Sequence, residues 1–266
     1  MIKAAVLGSP ISHSLSPRLH NEAYRFLKID ADYSSFDVPA GTLENFLSKK
    51  SIGWNGFSLT MPLKEEAISI AHWVDPLVSK IASGNTLVRR DDMWNLFSTD
   101  VQGFRSAWSI HNADSPSTIL ILGSGATARA AVAAFDSDQT KISVIHRNSA
   151  REDAMRASVA HSILDFNRWG FVEDFYTSDL IINTTPKYAL DEFAPKILHK
   201  PAGIFFDVIY DPWPTKFAQN WTQVGGNIMG GLDLLIAQGI EQMKLFTGKD
   251  LPTESLSEHL RGYFAL

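Results

Sequence analysis

The sequence predicts an α/β protein of two domains, and three observations carry that expectation. Strand-patterned and helix-patterned segments alternate along almost the whole chain. A polar, proline-containing break, HNADSPS at residues 111–117, interrupts the alternation. Beyond it an almost wholly apolar run, STILILG, leads straight into the glycine-opened, alanine-rich stretch GSGATARAAVAAF. Short apolar strands followed by helices argue for a parallel sheet with helices on both faces. With 266 residues the chain is long enough for two units of about 100–150 residues each. The break places the domains at 1–112 and 113–249, with a last helical segment at about 250–266 returning to the first domain.

Each element has its own signal. IKAAVL (2–7) reads as a strand, and residues 17–29 have helical spacing after the Ser16-Pro17 start. DYSSFDV, a short helix near 42–48, the strand GFSLT and a helix beginning at Pro62 follow. TLVRR and WNLFS, closely spaced about Asp91-Asp92, read as a hairpin. Residues 101–110 are helical and lead into the break. After it come STILILG, the alanine-rich helix, KISVIH, LIINTT and GIFFDVIY, with helix-compatible segments between the last strands. LDLLIAQGIEQMKLF and ESLSEHLRGYFAL close the chain as two helices.

Composition narrows the function classes. Net charge is −5, which argues against nucleic-acid binding through a broad basic surface. There is no cysteine, so disulfides, thiol catalysis and thiolate-bound metals are excluded. No apolar run approaches the roughly 18–20 residues of a membrane span, and the first residues lack a secretory-signal pattern. A cytoplasmic enzyme with a small-molecule substrate is the default expectation.

The second half carries a cofactor motif. Gly123-Ser124-Gly125-Ala126-Thr127-Ala128 fits GxGxx(G/A) between a strand and a helix, as in a Rossmann-type dinucleotide site. The first glycine permits a tight turn, the second admits a pyrophosphate to the backbone, and Ala128 lets helix and strand pack closely. At the end of the next strand, where an NAD site has an acidic residue, this chain has His146-Arg147-Asn148, with Arg151 a turn later. A guanidinium holds a 2′-phosphate through paired charge-assisted bonds, so the cofactor expected is NADP.

The first half concentrates polar groups at element ends. GSPISHSLSP (8–17) has three serines and a histidine where a plain turn needs one capping residue; Ser16 meets that need and Ser14 is surplus. Lys64 stands in the first turn of a proline-started helix, where a cation faces the positive end of the helix dipole. Asn85-Thr86 and Ser98-Thr99-Asp100 stand at the two ends of the hairpin. Singly, each of these reads as a surface, turn or cap residue.

Together the motifs resemble those of the shikimate dehydrogenase family. GSPISHSLSPRLHN matches the family's GxPIxHSxSPxxHN, LTMPLK its VTxPxK, Asn85-Thr86 its NT, and STDVQG its NTDxxG. The glycine loop, His146-Arg147-Asn148, Asn183-Thr184-Thr185, DVIY at 207–210 and a GLxxLxxQ helix at 231–238 follow in family order. The resemblance implies a reversible NADPH-dependent reduction of 3-dehydroshikimate to shikimate, within chorismate and aromatic amino-acid biosynthesis. It implies that Ser14, Ser16, Thr60, Asn85, Tyr210 and Gln238 bind the substrate and that Lys64 and Asp100 form the catalytic pair. It implies further that Gly123, Ser124, Gly125, Ala126, Arg147, Asn148, Arg151, Thr184, Val208 and Gly231 bind the cofactor. No metal is required, and the protein would be a monomer or a homodimer.

The chain departs from the family at three places: Ser58, Ser98 and His146 each stand where asparagine is common. Quinate or NAD use stays open on that account. So does a non-catalytic shikimate-binding relative, although Lys64 and Asp100 are both present. His13 and His20, with no third ligand in view, read as structural or substrate-adjacent.

Overall fold

The computed structural model describes every residue except 51, 112, 113, 171 and 266. The chain divides into two compact units, Met1–Gly103 with Leu235–Leu266, and Phe104–Leu234. The break expected at 112–113 falls outside the described residues. The second division lies earlier than residue 249, because the later turns of a long helix bury their apolar side in the first unit's core.

The first unit is built on a six-stranded mixed sheet. Its strands are β1 (Ile2–Gly8), β2 (Ala31–Asp37), β3 (Gly56–Leu59), β4 (Trp73–Val74), β5 (Thr86–Arg90) and β6 (Met93–Phe97), in the order β2-β1-β3-β5-β6-β4. β1 pairs parallel with β2 and β3, whereas β5 runs antiparallel to β3 and β6. The helices are α1 (Ser16–Phe26), α2 (Leu43–Lys50), α3 (Leu63–Glu66), α4 (Pro76–Ile81) and the start of α5 (Asp100–His111). Alternation along β1 sorts its side chains between two cores. Ala4 and Val6 join Leu19, Ala23, Tyr33 and residues near the chain's end, whereas Ala5 and Leu7 join Leu43, Phe57, Leu59 and Leu96. A one-residue slip of β1 would exchange these sets. Asp91 and Asp92 both adopt positive φ, the conformation that a two-residue hairpin turn requires.

The second unit is an all-parallel sheet of β7 (Thr118–Leu122), β8 (Lys141–His146), β9 (Leu164–Arg168), β10 (Leu180–Asn183), β11 (Ile204–Asp207) and β12 (Asn227–Met229). Its order, β12-β11-β10-β7-β8-β9, is the doubly wound arrangement of dinucleotide-binding folds. The order reverses between β7 and β10, so the ligand crevice belongs at their carboxyl ends. The helices are α6 (Ala126–Ala134), α7 (Glu152–Ala157), α8 (Asp174–Thr177) and α9 (Lys216–Gln223). The chain returns to the first unit along α10 (Gly231–Thr247), whose residues from Leu235 belong there. It ends in that unit with α11 (Thr253–Tyr263), which packs against α1 through Leu256 and Leu260. Among the described residues, no helix is long and apolar enough to cross a membrane.

Two local expectations need correction. The helix beginning at Pro62 is one turn, α3, followed by a short 3-10 segment at Ala67–Ser69. Ser16 is not the cap of α1: it is the first helical residue, and Leu15 precedes it with no side-chain cap.

Candidate active site

The serine-rich loop lies directly beyond β1. Its Ser9 N–H donates to the Met61 carbonyl at 3.0 Å, and a side chain at Gly8 would run into the Thr60 methyl. Glycine at position 8 therefore brings the loop against the turn that follows β3. Ser14 is not surplus as the spacing suggested, since its hydroxyl accepts the Ser16 N–H at 3.3 Å and does locally what a cap does. Ser16 is buried at the start of α1, and Thr60 is tied to β1 by its N–H on the Leu7 carbonyl at 2.9 Å.

Lys64, Asn85, Asp100 and Gln238 come together in one hydrogen-bonded cluster. Lys64 Nζ meets Asp100 Oδ2 at 2.5 Å, with side-chain exposures of only 16% and 6%. That contact answers the dipole argument: the one-turn α3 has little field, and the ammonium is held by a nearly buried carboxylate. Asn85 Nδ2 donates to the other carboxylate oxygen of Asp100 at 2.9 Å, to Thr99 Oγ1 at 2.9 Å and, more weakly, to Gln238 Oε1 at 3.3 Å. Asn85 Oδ1 accepts the Thr99 N–H at 2.8 Å. Asp100 thus has one oxygen on a neutral amide and the other on a cation. The pair presents an oriented, partly exposed ammonium, which suits stabilising charge on a substrate oxygen and moving a proton. Ser14 and Ser16 lie outside this cluster, and Tyr210 belongs to the second unit.

His20 is fully buried, stacked on Tyr33 with ring centroids 3.8 Å apart. Burial pulls its pKa down to about 3, so the ring is neutral. Among the described residues no group of three or more histidine or acidic side chains is placed to hold a metal.

The second unit holds every residue expected to bind a cofactor. Gly123, just beyond β7, has φ of +110°, and a Cβ there would stand 2.6 Å from Thr184 Oγ1. Thr184 in turn donates to the Leu122 carbonyl at 2.8 Å, closing the switch point between β7 and β10. Gly125 precedes α6 with no side-chain cap, which leaves first-turn N–H groups for an anion, and Ser124 and Ala126 flank it. Arg151 lies beside Gly125, its Nη1 3.6 Å from where a Cβ would be. At the end of β8 the Arg147 guanidinium lies over the Trp169 ring, 4.5 Å from its centroid. Asn148 Oδ1 accepts the Ala150 N–H at 3.1 Å and starts the turn that carries Arg151. The glycine cradle, with Arg151 beside it and Arg147 held over Trp169 at the end of β8, fits a phosphorylated dinucleotide. Val208 and Gly231 pack backbone to backbone: any side chain at Gly231 would strike the Val208 carbonyl. His146, where the family has asparagine, is buried between the Asn148 carbonyl at 2.9 Å and Glu152 Oε1 at 3.1 Å. Trp169 was not found from the sequence; a tryptophan beyond a short polar edge strand carries no pattern of its own.

Comparison with known proteins bears on both units. Residues 6–87 match the model of the shikimate dehydrogenase substrate binding domain. A shikimate dehydrogenase (NADP(+)) of Ignicoccus hospitalis is 32% identical over 249 residues, covering 92% of each chain. The crystal structure of Mycobacterium tuberculosis shikimate dehydrogenase superposes with a TM-score of 0.84 at 32% identity, covering 98% of this chain and 100% of that one. A Thermus thermophilus shikimate 5-dehydrogenase solved in complex with NADP(H) and shikimate gives 0.84 at 28% identity, over 98% and 99% of the two chains. On sequence, fold and site together, this chain belongs to the shikimate dehydrogenase family.

Proposed function

We propose that the protein catalyses the reversible NADPH-dependent reduction of 3-dehydroshikimate to shikimate, with most of the substrate-binding residues in the first unit and the cofactor-binding residues in the second. The observation that carries this reading is the Lys64–Asp100 contact at 2.5 Å, ringed by Asn85 and Gln238. Bound NADPH supplies the hydride that reduces the ketone carbon. Lys64 then has two tasks as negative charge grows on the ketone oxygen: its ammonium stabilises that charge, and it delivers the proton that makes the alcohol. Asp100 holds Nζ in place through both. Such general acid–base help is typically worth about 10²–10⁴ in rate. Ser14 and Ser16, at a helix start, suit the substrate carboxylate, and Thr60, Asn85, Tyr210 and Gln238 suit its carboxylate or ring hydroxyls. Gly123, Ser124, Gly125 and Ala126 would cradle the pyrophosphate, with Thr184 behind the loop, and Arg147, Asn148 and Arg151 would take the 2′-phosphate. Val208 and Gly231 would line the nicotinamide end. In this reading the protein works in the cytoplasm, in chorismate biosynthesis, as a monomer or a homodimer.

The test is the initial rate of absorbance change at the nicotinamide band, with shikimate and quinate each paired with NADP and NAD. Shikimate-dependent reduction of NADP is the expected result, and Lys64→Ala should lower its kcat by about 10²–10⁴. Turnover mainly with quinate or NAD would overturn the substrate or cofactor assignment. A near-normal kcat for Lys64→Ala would remove that residue from the chemistry.

A further inference from the structure

Behind Asn85 runs a buried chain of polar side chains that the mechanism above does not use. Tyr33 donates its hydroxyl proton to Ser58 Oγ at 2.6 Å, and Ser58 donates to Gln242 Oε1 at 2.7 Å. Gln242 Nε2 donates to Thr86 Oγ1 at 3.2 Å and to the Asn85 main-chain carbonyl at 3.3 Å. Thr86 passes its own proton to Asn85 Oδ1 at 2.9 Å, and Asn85 Nδ2 faces Asp100. Tyr33, Ser58, Thr86, Asn85 and Gln242 are all at most 3% exposed.

The donors all point one way. Tyr33 starts it as a donor, and Ser58 and Thr86 each accept from the side away from the site and donate toward it, so the chain ends on the Asp100 carboxylate. Aligned bonds of this kind polarise one another in a low-dielectric interior. Their geometric effect is more direct. Asn85 Oδ1 is occupied by the Thr99 N–H and the Thr86 hydroxyl, and its main-chain oxygen by Gln242 and the Leu59 N–H at 2.7 Å. With both oxygens engaged, only the amide NH₂ is left to face Asp100. An amide turned the other way would set oxygen against carboxylate and push Asp100 away from Lys64. Gln242 is the one member that reaches both Asn85, directly and through Thr86, and the Ser58–Tyr33 pair behind it; Ser58 fixes which end of its amide is the donor.

We infer that Gln242, oriented by Ser58 and Tyr33, is a positioning residue of the Lys64–Asp100 pair, acting through Thr86 and Asn85. The inference rests on the reading of Lys64 and Asp100 as the reacting pair. It also accounts for Ser58: its hydroxyl is committed on both sides to the interior chain.

Steady-state kinetics of Gln242→Leu, Thr86→Val, their double variant, Ser58→Ala and Lys64→Ala test it, with NADP saturating and shikimate varied. Gln242→Leu should lower kcat roughly tenfold or more with KM for shikimate little changed, because misplacement of a reacting group is felt in turnover. Thr86→Val should do the same, and the double variant should lose little beyond either one, since both break one path. Ser58→Ala should show the same split at smaller size, and it stands as the deciding variant if Gln242→Leu does not fold. Restoring the hydroxyl with Ser58→Thr should return most of the loss. If Lys64→Ala collapses turnover while Gln242→Leu, folded, keeps kcat within about twofold, the positioning role is wrong and the catalytic pair stands. A raised KM with unchanged kcat would likewise overturn it in favour of substrate binding. A Lys64→Ala enzyme that turns over normally would instead remove the pair on which the inference rests.

Discussion

Arg147 is placed by an aromatic face. Its guanidinium lies 4.5 Å from the Trp169 ring centroid, and the Trp169 Nε1–H is in turn anchored on Glu192 Oε1 at 3.2 Å. Stacking leaves the edge of the guanidinium, where its N–H donors are, free to meet a phosphate. Arg147→Ala should therefore raise KM for NADP by tenfold or more, a loss on the scale of a charge-assisted bidentate bond, about 1.5–3 kcal/mol. KM for NAD, which has no 2′-phosphate, should hardly move. Trp169→Leu should act in the same direction but by only about two- to fivefold, the scale of a partly exposed cation–π contact. Parallel cofactor titrations decide the matter: equal changes for NADP and NAD would sink the 2′-phosphate assignment. Residues such as Arg147 and Lys64 were legible because position in a motif singles out a charge. Trp169 and Gln242 were not, because their partners are distant in sequence. Gln242 meets Ser58 across 184 residues, a pairing that only folding creates.

At the scale of elements, what could be read followed burial. Central strands such as β7 and β10 are short apolar runs enclosed on both faces, and their pattern is plain in the sequence. The unread strands were β4, β9 and β12, and all three are sheet edges. β4 has two residues and β12 three, too few to show alternation, and β9 carries Asp165, Asn167 and Arg168 on a largely solvent-facing edge. α4 has an Asp75 cap on the Leu77 N–H and a proline start, yet its six residues cannot display a helical period. The C-terminal helix was legible as an element, and its docking is where the chemistry lies. Glu22 on α1 accepts Arg25 at 2.6 and 2.8 Å and His259 of α11 at 2.6 Å, while His259 also stacks on Phe26. Glu22→Gln should loosen α11 and lower the thermal midpoint by about 2–4 °C, the effect of roughly 1 kcal/mol in a unit of this size. Hydrogen exchange should report the loss first in α11; a unit that opens uniformly would mean the contact does not hold that helix.

For the whole molecule, two buried carboxylates with opposite shifts tie stability to pH in opposite senses in the two units. Glu22, in the first, is held below its ordinary 4.5 chiefly by the hydrogen bonds from Arg25. Its folded form binds fewer protons than the unfolded chain, so its contribution is full above 4.5 and is lost as pH falls through the lowered folded value. Asp207, in the second, has no exposed surface, and burial raises it from 3.8 to about 6, against the opposing bonds from Ile209, Thr215 and Asn183. Here the folded form binds more protons than the unfolded chain between about 4 and 6. Stability from this group is present below 3.8 and falls as pH rises through about 6, by as much as about 3 kcal/mol for a shift of that size. The second unit should therefore be more stable near pH 5 than near pH 7.5, while the first should weaken as pH falls over the same range. Buried His20 stays neutral in the folded first unit but takes up a proton below about 6.5 when unfolded, and that unit should weaken further in acid as Glu22 protonates. Thermal melts across that range, read by hydrogen exchange in β7 and β10 for one unit and β1 and β3 for the other, separate the two. The Asp207 assignment has its own control. Asp207→Asn keeps a neutral side chain of the same shape, so its second unit should lose the decline between pH 5 and 7.5. A decline that persists in this variant would place the titrating group elsewhere in the parallel sheet.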